Sequence, residues 1–152
     1  MAAIRACALP EHALLRKYAR DGAYIDCYTA ETERPVSLAE YVEAFYTGAV
    51  FKLERLLLAW FVSRPSTDAQ AKALAAGGLS DFAAWRVEGR SSDQLLMCDL
   101  TGRTRSWFMV EPRRLYFGSA VLRPDFPFNA LLGFHRMYSR VLLYGARSRL
   151  HG

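Results

Sequence analysis

The stretch "DQLLMCDLTGRTRSWFMVEPRRLYFGSAVL", Asp93 to Leu122, decides the fold. It holds three segments rich in aromatic and long apolar residues, "DQLLMCDL", "TRSWFMVE" and "RLYFGSAVL", and such residues suit a pleated, half-buried surface. "LTGR" and "EPRR" lie between them as short turns. A further strand, "AAWRVEG" at 83–89, comes just before, with Trp85 and Val87 on one side and Arg86 and Glu88 on the other. Strands joined by tight connections form an antiparallel meander. A two-residue turn at Thr101-Gly102 sets Cys98 against Arg105 and Leu96 against Trp107. A bulged turn with Gly102 left-handed sets Met97 against Arg105 instead. The sequence leaves both open.

Upstream of the meander the pattern turns helical. Pro10 suits a first helical turn, so a short helix is expected over about Pro10–Ala19, ended by Asp21-Gly22. "AYIDCYTAE" alternates and is rich in β-formers, which predicts a strand over Tyr24–Thr29. Ser37 and Glu40 have capping-box spacing, and Val36 and Tyr41 stand where a hydrophobic staple needs them. A helix over about Leu38–Tyr46 follows, with Gly48 as its stop. A second helix, about Val50–Val62, is apolar nearly all round and therefore largely buried. Pro65 ends it. Thr67 and Gln70 repeat the capping box and open a short Ala-rich helix that stops at Gly77-Gly78.

Downstream, Pro124 and Pro127 exclude "RPDFPFNALLG" from a central strand. A closing helix is expected from near Asn129, a good N-cap, to about Arg147. On a helical wheel Phe134, Met137, Tyr138, Val141, Leu142 and Gly145 share one broad arc, and Arg136, Arg140 and Arg147 form a narrow stripe opposite. A membrane-surface helix has the reverse proportions. The arginines therefore read as the solvent edge of a core helix. Peripheral membrane contact is an alternative those proportions do not favour. Gly145, on the apolar arc, removes a side chain where the sheet or a ligand approaches, or else marks a fraying helix end.

This order of elements, strand, helices, antiparallel meander and long C-terminal helix, resembles the helix-grip fold of the START-like, or SRPBCC, superfamily. The opening "ALPEHALLRKYARDGAYIDCYTAE" and the closing "FHRMYSRVLL" are similar to those of a small bacterial family of unknown function within it. The resemblance implies an α+β domain in which a curved antiparallel sheet wraps a long C-terminal helix, with two or three helices inserted after the first strand. It also implies a cavity between sheet and helix. It transfers no functional residue.

Composition agrees with one globular domain. The chain has 152 residues, 52% of them hydrophobic and 23% charged, enough to bury about two-thirds of its surface. The longest dense apolar run, Leu56–Val62, falls far short of the roughly 20 residues of a membrane span. The start shows no secretion signal, so a cytoplasmic location is expected. Cys7, Cys27 and Cys98 are scattered, as are His12, His135 and His151. They suggest neither a disulfide framework nor a zinc site, and buried Cys behaves as a small hydrophobe. No cofactor and no metal is expected. The net charge of +5 is spread along the chain without a dense basic block, which disfavours a nucleic-acid partner.

Candidate functional residues follow from strand alternation. One face of the "TRSWFMVE" strand carries Arg105, Trp107, Met109 and Glu111, the other Ser106, Phe108 and Val110. The expected ligand-lining set is Arg105, Trp107, Met109 and Tyr116 with Phe134, Tyr138 and Leu142 of the closing helix. Arg105 is suited to hold a carboxylate or phosphate, or else it pairs with Asp99 or Glu111 or reaches solvent. The expected function is binding of a small apolar or amphipathic molecule such as a lipid, polyketide, quinone or aromatic metabolite. A mostly apolar pocket of roughly 300 Å³ or more would hold it. The alternative is a cyclase, isomerase or hydrolase using Arg105, Glu111 and His135 in the same cavity. A scaffold filled by its own aromatic residues is the third reading.

Overall fold

The computed structural model describes residues 4–19, 22–48, 67–79, 81–82, 85–99, 102, 104–122, 143–144, 146–147 and 149–150. The meander forms as β4 (Trp85–Arg90), β5 (Gln94–Asp99), β6 (Thr104–Glu111) and β7 (Arg114–Val121), each antiparallel to the next. Cys98 stands opposite Arg105 and Leu96 opposite Trp107, the register expected with the two-residue turn and not that of the bulged one. Gly102 supplies a φ of +72° there, a conformation that costs glycine nothing. At the other end Glu111 faces Arg114, and Pro112-Arg113 make the turn. β2 (Tyr24–Glu31) lies antiparallel to β7 along its whole length. Two-residue strands β1 (Arg5–Ala6) and β3 (Asp81–Phe82), too short to read from the sequence, complete the order β1-β2-β7-β6-β5-β4-β3. The last meander strand thus returns beside the first long strand, and the helices between β2 and β3 carry the crossover. The class is α+β with an antiparallel sheet.

Register and the two-residue period sort the side chains into two faces. Tyr28, Phe117, Phe108 and Leu95 form one row across four strands, and Cys27, Gly118, Trp107 and Leu96 form the next, on the opposite face. The first row packs in one core with α2 (Leu38–Thr47), α3 (Asp68–Ala75), Leu143 and Ala146. The second packs with Ala13, Leu15 and Tyr18 of the N-terminal segment.

Both capping boxes are present, Ser37 with Glu40 and Thr67 with Gln70. They satisfy N-terminal backbone donors locally and so start the helices where the sequence predicts. Leu38, Tyr41, Val42, Phe45 and Tyr46 recur at helical spacing and are buried. Phe45 stacks on Phe117 at 5.0 Å and meets the edge of Phe108 at 4.7 Å. α3 stops where Gly77 turns to a φ of +87°. Arg90 of β4 then donates to Leu74 O at 2.9 Å and to Ala75 O, capping the helix with a cation at its negative end.

Two expectations are corrected. The N-terminal helix is only α1, Arg16–Ala19. Over Pro10–Leu15 the chain forms turns, with Ala13 N donating to Pro10 O and Arg16 N to Ala13 O. The Leu14 N–H goes instead to Gln94 Oε1 at 2.8 Å, and His12 O accepts from Gln94 Nε2 at 3.1 Å. A buried glutamine from the sheet takes the backbone groups that a longer helix would have paired internally. The second correction concerns Arg147, expected at the solvent edge. It is buried, and its Nε donates to Glu31 O at 2.9 Å. In the described part of the closing segment Leu143 and Ala146 are buried while Tyr144 is exposed. Arg147 turns inward beside Leu143 and Ala146, to a strand-end carbonyl. The helix expected over Val50–Val62, the closing helix before Leu143, and Gly145 lie outside the described residues.

Candidate functional site

The helix-covered face changes character along its strands. Its middle is the aromatic core of Tyr28, Phe108 and Phe117 with Leu115, Leu95 and Met97. Two residues further along β2, β7 and β6 the same face carries Asp26, Ser119 and Ser106, and two beyond those Tyr24, Val121 and Thr104. Asp26 Oδ1 accepts from the Ser119 backbone N–H at 3.1 Å and from Ser119 Oγ, and Tyr24 Oη donates to Asp26 Oδ2 at 3.3 Å. Ser119 is 2% exposed; Asp26, Tyr24, Ser106 and Thr104 are half-buried. The result is a carboxylate ringed by hydroxyls at the rim of an apolar strip. Such a border suits a molecule with a hydrogen-bond-donating head and an apolar body.

The opposite face holds the sequence-predicted sheet residues. Arg105, Trp107 and Met109 alternate on β6, and Tyr116 pairs with Met109 from β7. Trp107, Met109 and Tyr116 share one core, but with Ala13, Leu15 and Tyr18 rather than with Leu143 and Ala146. Trp107 is fully buried, and its Nε1–H donates to Gln94 Oε1 at 2.8 Å. Arg105 is 8% exposed. Its Nε donates to Tyr18 Oη at 2.9 Å and Glu88 Oε1 at 3.0 Å, and its Nη1 to the carbonyls of Gly102 and Thr104. Among the described side chains its ion-pair partner is Glu88 and not Glu111, and the Asp99 side chain lies outside them. Glu88 sits where a bulge between Val87 and Gly89 shifts the β4 register.

Tyr18 Oη also donates to Glu88, and Arg105 lies over the Tyr18 ring, 4.8 Å from its centre. Burial would raise the Glu88 pKa, but the Tyr18 hydrogen bond and the charges of Arg105 and Lys17 outweigh it and hold it below the ordinary value. Burial first, and the hydrogen bond to Glu88 second, push the Tyr18 phenol up. These contacts pin the N-terminal segment to the sheet. Glu111 is on the same face as Arg105 but six residues along the strand, about 20 Å away, and accepts from Tyr116 Oη at 3.1 Å. Arg105 and Glu111 cannot act on one atom. Phe134, Tyr138, Leu142 and His135 lie outside the described residues.

Asp26, Ser119, Glu88 and Gln94 were not singled out from the sequence. Asp26 alternates with Tyr24 and Tyr28 in "YIDCY", but its partner is set by β2–β7 pairing across most of the chain. Among the described residues no three His, Cys, Asp or Glu side chains gather to hold a metal, and no helix is long and apolar enough to cross a membrane. No family model, no curated protein and no solved structure matches this chain.

Proposed function

We propose that the protein binds a small amphipathic molecule on the helix-covered face of the sheet. The apolar body lies toward Phe108 and Phe117, and the head, a hydroxyl or an amine, faces Asp26. One observation carries this reading. Within two residues along the strands, the aromatic core gives way to a carboxylate held by Ser119 and Tyr24. The strand order, with β7 beside β2, supports the helix-grip architecture in which that face meets a long C-terminal helix. The position of Arg105 also favours this face, because its Nε and Nη1 hydrogens are committed to Glu88, Tyr18 and two carbonyls under the N-terminal segment.

Calorimetric titration with dodecylamine, dodecanol and dodecanoate tests the proposal. The amine and the alcohol should bind more tightly than the acid at neutral pH. Asp26→Asn should weaken the amine about 10–100-fold, the worth of a charge-assisted hydrogen bond. Equal affinity for amine and acid, or no binding of any of the three, would overturn it.

A further inference from the structure

We propose that Cys7 and Cys27 are a redox pair that closes reversibly into a disulfide, fastening the edge strand β1 to β2. The register of β1 on β2 pairs Arg5 with Thr29 and Ala6 with Tyr28, so its next step sets Cys7 opposite Cys27. Cys7 N donates to Cys27 O at 3.0 Å, which shows that the register holds there. The two sulfurs are 3.2 Å apart. Directly opposed residues of antiparallel strands have Cα atoms about 4.5–5.5 Å apart, inside the range a disulfide requires. Closing the bond therefore needs only a small side-chain movement.

The two thiols are unequal. Cys7 is half-buried at the sheet edge, whereas Cys27 is buried. The hydrogen bond between the sulfurs, helped by Arg114 and Arg5, outweighs burial and lowers the Cys7 pKa. The same bond, with burial, raises that of Cys27. Cys7 is thus the attacking thiolate. With a low-molecular-weight disulfide such as oxidised glutathione, Cys7 Sγ forms a mixed disulfide and expels one glutathione thiolate. Cys27 Sγ then attacks the Cys7 sulfur, loses its proton to solvent, and expels the second glutathione thiolate. The protein loses two hydrogens, and one glutathione disulfide becomes two thiols. Cys98 is 1% exposed and stands opposite Arg105 and Arg86, away from this pair. It serves as an internal control.

The bond would close a loop that contains Ala13, Leu15 and Tyr18, the residues that cover Trp107. A loop of that length stabilises mainly by restricting the unfolded chain, and should raise the Tm by roughly 5–10 °C. The test is peptide mass mapping of the full chain after equilibration in glutathione buffers from fully reduced to fully oxidised and quenching with iodoacetamide. The expected result is a Cys7–Cys27 cross-link that forms under oxidising buffers, reverses under reducing ones, does not involve Cys98 and raises the Tm. Cys7→Ser should abolish it. Alkylatable Cys7 and Cys27 in the most oxidising buffer, a lasting glutathione adduct on Cys7, a cross-link to Cys98, or an unchanged Tm would each overturn the proposal. The mapping of the unsubstituted chain decides by itself should the variant misfold.

Discussion

Gln94→Ala should be among the most damaging single changes on the N-terminal face. The Gln94 side chain is 4% exposed and makes three hydrogen bonds. Its Oε1 accepts from Leu14 N and from Trp107 Nε1, both at 2.8 Å, and its Nε2 donates to His12 O at 3.1 Å. Truncation leaves the Trp107 indole N–H without this partner in a fully buried site, where an orphaned donor costs about 1–3 kcal/mol. Leu14 N and His12 O, in a half-buried segment, add less because water reaches them. A total loss of about 2–4 kcal/mol follows, against a whole-domain stability of about 5–15 kcal/mol. Urea unfolding followed by circular dichroism measures it. Gln94→Leu combined with Trp107→Phe removes donor and acceptor together and should recover part of the loss. A loss below about 0.5 kcal/mol for Gln94→Ala, the range of ordinary surface changes, would refute the clamp.

A Cβ at Gly118 would stand 2.9 Å from Trp107 Cε3 and 3.0 Å from both Asp26 O and Leu15 Cδ2. Gly118→Ala should therefore cost about 1–3 kcal/mol by overpacking, read from the shift in urea midpoint. The Glu88 pKa lies below its ordinary value in the folded protein, so its stabilising contribution is present above that ordinary value and is lost as pH falls through the lowered one. Unfolding midpoints from about pH 6 to about pH 3 should fall more steeply for the unsubstituted protein than for Glu88→Gln; parallel slopes would count against the Glu88–Arg105 link. Arg105→Leu should destabilise the fold by leaving Glu88 short of its buried cation, and should leave dodecylamine affinity unchanged in the protein that remains folded.

Signals confined to a few residues were legible in the sequence. Ser37 with Glu40 and Thr67 with Gln70 place helix starts because the capping partners are three residues apart. The β5–β6 and β6–β7 hairpins were legible because only a short connection separates each pair of strands. Features that depend on distant chain were not. The first helix is shortened by Gln94, some 80 positions away from Leu14. Arg105 pairs with Glu88 across β5, at a bulge in β4 that no local pattern marks. Alternation separated Arg105, Trp107 and Met109 from Ser106, Phe108 and Val110, but could not say which set meets which layer. That choice depends on where the N-terminal segment docks. The same limit hid the Asp26–Ser119 contact, since β2 and β7 are joined only in the folded sheet.

The central claim is that an amphipathic ligand lies on the helix-covered face, with its head at Asp26. Photolabelling with an alkyl amine carrying a diazirine at mid-chain, followed by peptide mass mapping, tests it most directly. Adducts should fall on the helix-covered row and its neighbours, Phe108, Leu115, Phe117 and α2, and should be lost with Asp26→Asn. Adducts concentrated instead on Leu15, Trp107, Met109 and Tyr116 would place the ligand under the N-terminal segment and contradict the claim.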